Sequence, residues 1–163
     1  MEACFKTTDL IYAKSPIEVN KAGNLEIKLG NNQIPSQSEV EISLKIIIKN
    51  EELVLDLKAT FEITAICERC LEEKTINESN SKVFRISLNS ENDYELSLNQ
   101  EKIDVLPFVN EIILDKMNEN YICKENCKGL CTSCGINLND YKCSHLEKNL
   151  KESPFSSLSQ LDL

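Results

Sequence analysis

Histidine is nearly absent from this chain, and arginine is almost as scarce. One histidine, His145, and two arginines, Arg69 and Arg85, stand among 163 residues. A single histidine excludes a His-rich catalytic metal site and the HExxH pattern of metallohydrolases. With that histidine taken up by the Cys143-x-His145 pair, no nucleophile–histidine–acid set remains either. The basic residues are mostly lysine, which meets phosphate as a point charge and not as a bidentate fork. Nor are they in surplus: 18 Lys and Arg face 27 Asp and Glu, for a net charge of −9. A broadly basic nucleic-acid binder is thereby excluded, because that class neutralises phosphates with excess cations. Long hydrophobic runs are missing too. Ile46–Ile48 and Ile112–Leu114 are core-sized, far short of the ~20 residues of a membrane-spanning helix. The N-terminus lacks the basic-then-apolar order of a secretory signal. The expectation is a cytoplasmic protein in a reducing compartment, where stable disulfides are rare.

What is present begins with strands. A hydrophobic fraction of 41% is ordinary for a packed domain. Leu25, Ile27 and Leu29 alternate and stop at the turn signal Gly30-Asn31-Asn32. Val40, Ile42, Leu44, Ile46 and Ile48 alternate with polar residues, and so do Leu53, Leu55, Leu57, Ala59, Phe61, Ile63 and Ala65. Period two with one polar face marks half-buried strands. The short Asn50-Glu51-Glu52 link makes them a long antiparallel hairpin that runs into Cys67. Residues 71–78 and 82–88 read as two weaker strands, and 89–103 as loop. Asp104 can cap a helix over 105–117, with Pro107 tolerable in its first turn. Val105, Phe108, Val109, Ile112 and Ile113 fall on one face of that helix, as a stripe that packs on a sheet. Ser153-Pro154 suits the start of a terminal helix, with Phe155, Leu158 and Leu161 as its anchors.

The cysteines carry the chemistry. Cys67-x2-Cys70, Cys123-x3-Cys127, Cys131-x2-Cys134 and Cys143-x-His145 are present, with Cys4 left over near the N-terminus. Two thiolates at x2 spacing can grip one tetrahedral ion from a tight knuckle, and Gly135 after the second pair eases the turn. Soft thiolates with one imidazole favour zinc. Seven cysteines and His145 suffice for two four-coordinate sites. The preferred pairing is Cys67, Cys70, Cys123 and Cys127 for one, and Cys131, Cys134, Cys143 and His145 for the other. The alternative is a single ribbon-like site from Cys67, Cys70, Cys131 and Cys134. An iron–sulfur cluster is a further use of four thiolates. A thiol redox enzyme would need C-x2-C at a helix start in a βαβ pattern, whereas Cys67 follows a long antiparallel strand.

These readings predict an α+β fold. Residues 1–120 form an antiparallel β-rich core with one packed central helix. Residues 121–163 form a zinc-knuckle segment with a short C-terminal helix, packed on the core as one domain. The acidic surplus lies in the first part, while residues 121–163 carry as many basic as acidic side chains. Lys124, Lys128, Lys142, Lys148 and Lys151 gather around the knuckles, with Tyr121 and Tyr141 interleaved. Lysine can contact phosphate, and tyrosine can stack on bases. Arg69, between two cysteines, could project as a partner contact.

The order of these motifs resembles the YceD family, described as large ribosomal RNA subunit accumulation proteins. The likeness rests on Cys67-Glu68-Arg69-Cys70-Leu71-Glu72, on Ile103-Asp104-Val105 leading into Glu111-Ile112-Ile113-Leu114, and on the Ser153-Pro154-Phe155 tail. Its most specific piece is Cys127-Lys128-Gly129-Leu130-Cys131-x2-Cys134-Gly135-x-Asn137-Leu138-Asn139. This run is similar to the cysteine-rich branch of the family. Thr132 stands where that branch usually has proline, and Cys143-Ser144-His145 where it has C-x-C. A cysteine-to-histidine exchange is the one expected at a zinc ligand. The resemblance implies a non-enzymatic role in ribosome biogenesis, with a large-subunit ribosomal RNA precursor, a ribosomal protein, or both as partners. The other readings are a zinc-stapled protein–protein module without RNA contact and, behind it, the redox enzyme.

Overall fold

The computed structural model describes residues 3–117 and 120–145. Their order is β1 (Cys4–Lys6), α1 (Thr7–Tyr12), β2 (Ile17–Gly23), β3 (Lys28–Leu29), β4 (Asn32–Gln33), β5 (Val40–Lys49), β6 (Glu52–Ile66), β7 (Glu73–Ser87), β8 (Lys102–Asp104) and α2 (Leu106–Met117). The architecture is the α+β class expected, antiparallel sheet with two helices.

The long hairpin forms as the alternation predicts. β5 and β6 pair antiparallel from Glu41↔Thr60 to Lys49↔Glu52. Asn50 and Glu51 between them have φ of 52° and 61°. Two left-handed residues in a two-residue loop twist in the same sense as the strands they join. The even-numbered residues of β5 and the odd-numbered residues 53–61 of β6 are buried on one face. Each such Leu, Ile or Phe contributes about 1.5–3 kcal/mol by leaving water.

The sheet is wider than the alternation alone announces. Its strand order is β2-β5-β6-β4-β3, and β7 also pairs with β6. β2 adds to β5 from Ile17↔Ile46 to Gly23↔Val40. β1 joins β8 in a separate two-stranded sheet, Cys4↔Asp104 to Lys6↔Lys102. The two weak strands expected at 71–78 and 82–88 are one strand, Glu73–Ser87. Ser79-Asn80-Ser81 break the apolar pattern, but β6 still offers a partner along the strand. α2 also holds this stretch: Asn80 Nδ2 donates to the Ile112 carbonyl at 2.8 Å, and Lys82 pairs with Glu111 at 2.6 Å.

α2 begins where its cap predicts. Asp104 Oδ1 accepts from the Leu106 N–H at 3.0 Å, which satisfies a backbone donor that the helix itself cannot. Phe108, Val109, Ile112 and Ile113 are fully buried. The ring of Phe108 stands 5.0 Å from Phe84 and 4.3 Å from Tyr94, centroid to centroid. The helix proposed after Ser153 lies outside the described residues. Among the described residues, no helix is long and apolar enough to cross a membrane.

The chain divides into two compact units. One comprises Met1–Ala65 and Glu73–Glu119, the other Ile66–Glu72 and Asn120–Leu163. The link between β6 and β7 therefore belongs with the cysteine-rich end, although it is an insertion in the sheet's chain path.

Candidate metal centres

The first cysteine pair sits in the tight turn between β6 and β7. The Cys67 N–H donates to the Glu72 carbonyl at 3.0 Å, and the Leu71 N–H returns to the Cys67 carbonyl at 2.9 Å. Leu71 holds the reversal with φ of 58°. The second C-x2-C repeats this pattern. The Cys131 N–H donates to Ile136 at 2.8 Å, and the Gly135 N–H to Cys131 at 2.8 Å, with φ of 71° at Gly135. In both knuckles the carbonyl and N–H of the first cysteine are bonded within the turn, and that cysteine is buried.

Cys123 and Cys127 form the opposing arm, closed by a bond from the Cys127 N–H to the Lys124 carbonyl at 3.0 Å. Backbone bonds tie this arm to the first knuckle: Glu68 N–H to Tyr121 and Leu130 N–H to Arg69, both 3.0 Å. Gly129 is required at the closest approach. Its φ is 72°, and a Cβ there would stand 2.9 Å from the Arg69 carbonyl oxygen.

Four sulfurs meet as a result. Cys67 and Cys127 are 3.9 Å apart at Sγ, Cys70 and Cys123 are 3.6 Å apart, and all four lie within 4.8 Å of one another. A regular tetrahedron with metal–sulfur bonds of about 2.3 Å has edges of about 3.8 Å. The cluster matches that size and not the about 2.0 Å of a disulfide; all eight cysteines are free thiols. Cys67, Cys70 and Cys127 are buried, with Tyr121 and Cys123 packed against them.

The second group is Cys131, Cys134, Cys143 and His145, whose ligand atoms also lie within 4.8 Å of one another. It is the more open of the two: Cys131 is buried, Cys143 and His145 are half-buried and Cys134 is exposed. Nδ1 of His145 is buried with no hydrogen-bond partner. The fold thus gathers the two foursomes of the preferred pairing. Cys131 and Cys134 do not join Cys67 and Cys70, and Cys4 belongs to neither group.

The sulfurs are electrostatically divided. Burial pushes the Cys67 thiol up, but the N–H groups of Cys123, Cys70 and Arg69 outweigh it and bring the thiol down to about 6. Cys131 also falls to about 6, because the N–H groups of Ser133 and Cys134 and the Cys143 thiol point at it. Cys123 is pushed up to about 12, by burial first and then by its neighbours Cys70, Cys127 and Cys67. Cys143 is raised by its contact with Cys131 and by burial. In the first group Cys67 and Cys127, the latter helped by the Asn139 amide, favour the thiolate while Cys70 and Cys123 resist it; in the second, Cys131 favours it and Cys143 resists it. A divalent cation reverses that logic and deprotonates a coordinating thiol outright.

Two asparagines complete the surroundings. Asn139 Nδ2 donates to the Cys127 sulfur at 3.3 Å and to Asn137 Oδ1 at 2.8 Å. The same amide's Oδ1 accepts from the Lys128 N–H at 3.0 Å. In the sequence Asn137 and Asn139 are only motif letters, because asparagine in a loop looks the same whether it faces water or a sulfur. Arg69 is engaged: its guanidinium donates to the carbonyls of Glu125 and Cys127, both at 3.3 Å. Lys124, Lys128 and Lys142 are exposed. Tyr141 is exposed as well, and Leu71 more than half so.

No curated protein and no solved structure matches this chain. Residues 55–162, from within β6 through both cysteine groups, match the family described as large ribosomal RNA subunit accumulation protein YceD, and the chain belongs to that family.

Proposed function

We propose that this protein is a non-enzymatic factor that supports accumulation of large-subunit ribosomal RNA in the cytoplasm, held in shape by two structural zinc ions. The family supports the role. The observation that carries the zinc is the spacing of 3.6 and 3.9 Å between sulfurs of four facing cysteines, the edge length of a closed tetrathiolate. The orphaned Nδ1 of His145 gains a partner when an ion fills the second group. Four protein ligands per ion leave no open position for substrate, which a catalytic zinc keeps. The residues therefore fit a staple and not a reaction centre.

Exposed Lys124, Lys128 and Lys142 on the cysteine-rich unit supply the contact with precursor RNA. The test has two parts. Protein purified without added zinc is expected to carry about two zinc ions per chain, and none would defeat the staple. A pull-down from lysate is expected to recover large-subunit precursor RNA, and replacing the three lysines by alanine to lower the salt slope of RNA binding by up to about 3. Recovery of a ribosomal protein that persists after RNase treatment would favour a protein-binding module. The exposed Leu71 and Ile122 beside the first group favour that second reading.

A further inference from the structure

We propose that Asn139 couples the two centres, so that filling the second strengthens the hold of the first and the two ions bind with positive cooperativity. This rests on the reading that both groups bind metal. Asn139 lies in the loop between Cys134 and Cys143, which an ion in the second group closes. Its amide reaches out of that loop to Cys127, a member of the first group. The amide has one orientation open to it. Nδ2 is shared between the sulfur and Asn137 Oδ1, while Oδ1 takes the Lys128 N–H. A flipped amide would set oxygen against both the sulfur and Asn137 Oδ1 and lose the Lys128 bond.

The loop rests on the segment that joins the two groups. The Leu138 N–H donates to Gly129 at 2.9 Å and Leu130 bridges to Asn137, while inside the loop the Tyr141 N–H donates to Asn137 at 3.0 Å. Closing the second centre therefore fixes the donor that the first centre needs. Donors to metal ligands orient them and tune their basicity, and losing one typically costs 10–100-fold in affinity. Linkage makes the effect reciprocal: whatever the second ion does for the first, the first does for the second. The second centre, with Cys134 exposed, is the one that solvent and chelators reach first. Its occupancy then sets the grip of the buried first centre.

Cobalt titration of the full, reduced, metal-stripped chain tests this, because tetrathiolate and trithiolate–imidazole sites absorb differently. Zinc affinities follow by competition against a chromophoric chelator. Both bands are expected to rise together in the unmodified chain. Asn139→Ala and Asn139→Asp are expected to weaken the first centre 10–100-fold while both centres still fill. His145→Ala, which damages the second centre from outside the loop, is expected to weaken the first by a similar factor, and to add little once Asn139 is already alanine. First-centre affinity unchanged within about twofold in either the Asn139 or the His145 variants would overturn the coupling and leave the two-ion reading standing. No cobalt band in the unmodified chain would overturn that reading and the coupling with it.

Discussion

Leu71 and Gly135 occupy the same position in two copies of one knuckle. Each donates its N–H to the carbonyl four residues back, Cys67 at 2.9 Å and Cys131 at 2.8 Å. Each has a left-handed φ, 58° and 71°. One knuckle uses glycine there, and the other forces an exposed leucine into the same conformation. Leu71→Gly removes a strain of about 1–2 kcal/mol and adds unfolded-chain freedom of about 0.5–1 kcal/mol. The zinc-loaded variant is expected to unfold within about 1.5 kcal/mol of the parent, by those two opposed magnitudes. Loss of an ion from the first centre would show that the leucine side chain matters beyond the turn.

Gly129→Ala is expected to be the more damaging glycine replacement. Nothing lies within 4 Å of a Cβ at Gly135, whereas one at Gly129 meets the Arg69 carbonyl oxygen at 2.9 Å. Gly135→Ala adds only conformational strain, about 1–2 kcal/mol. Gly129→Ala adds the same strain and also pushes on the carbonyl that accepts from Leu130. Denaturant midpoints of the two variants, compared in zinc, check the order; equal midpoints would contradict it.

Replacing Cys67 or Cys70 by serine is expected to remove the first ion and lower thermal stability, because binding to a structural site is folding free energy. The loss should register in the tyrosine signal, since Tyr121 packs on this cluster. An unchanged melting temperature in a variant shown to lack the ion would contradict the structural role.

Without metal and with thiols reduced, stability should peak near pH 9. Cys67 and Cys131 are lowered from 9.0 to about 6 in the folded chain. Between those values the unfolded chain binds more protons, so stability rises with pH and is lost as pH falls through about 6. Cys123 is raised to about 12. The folded chain then keeps a proton that the unfolded chain releases, and stability falls between pH 9 and 12. Urea midpoints of the stripped protein at pH 6, 9 and 11 measure this, and a midpoint that rises steadily to pH 11 would contradict it.

Local pattern reveals one part of this molecule and contact between distant segments the other. The β5–β6 hairpin and α2 were legible because their apolar residues recur at the period of the element. β2, β1 and β8 were not, because each takes its partner from far along the chain: Ile17 lies opposite Ile46, and Cys4 opposite Asp104. The sequence splits β7 into two pieces because its middle is polar, Ser79-Asn80-Ser81; what carries the strand through is β6 beside it and α2 bonded to it.

The scarcity of histidine and the cysteine spacing determined by themselves that the candidate ligands are mostly thiols in closely spaced pairs and that a His-rich metal site is absent. Those are local facts, fixed by residue type and spacing. Tertiary structure alone decided which arms meet. Cys67 faces Cys127 across 60 residues, since the β6–β7 link folds with the chain after α2. It also turned the Arg69 guanidinium onto backbone carbonyls and laid the Asn139 amide on a sulfur of the other group. A side chain's partners across space depend on packing between segments that no local period encodes.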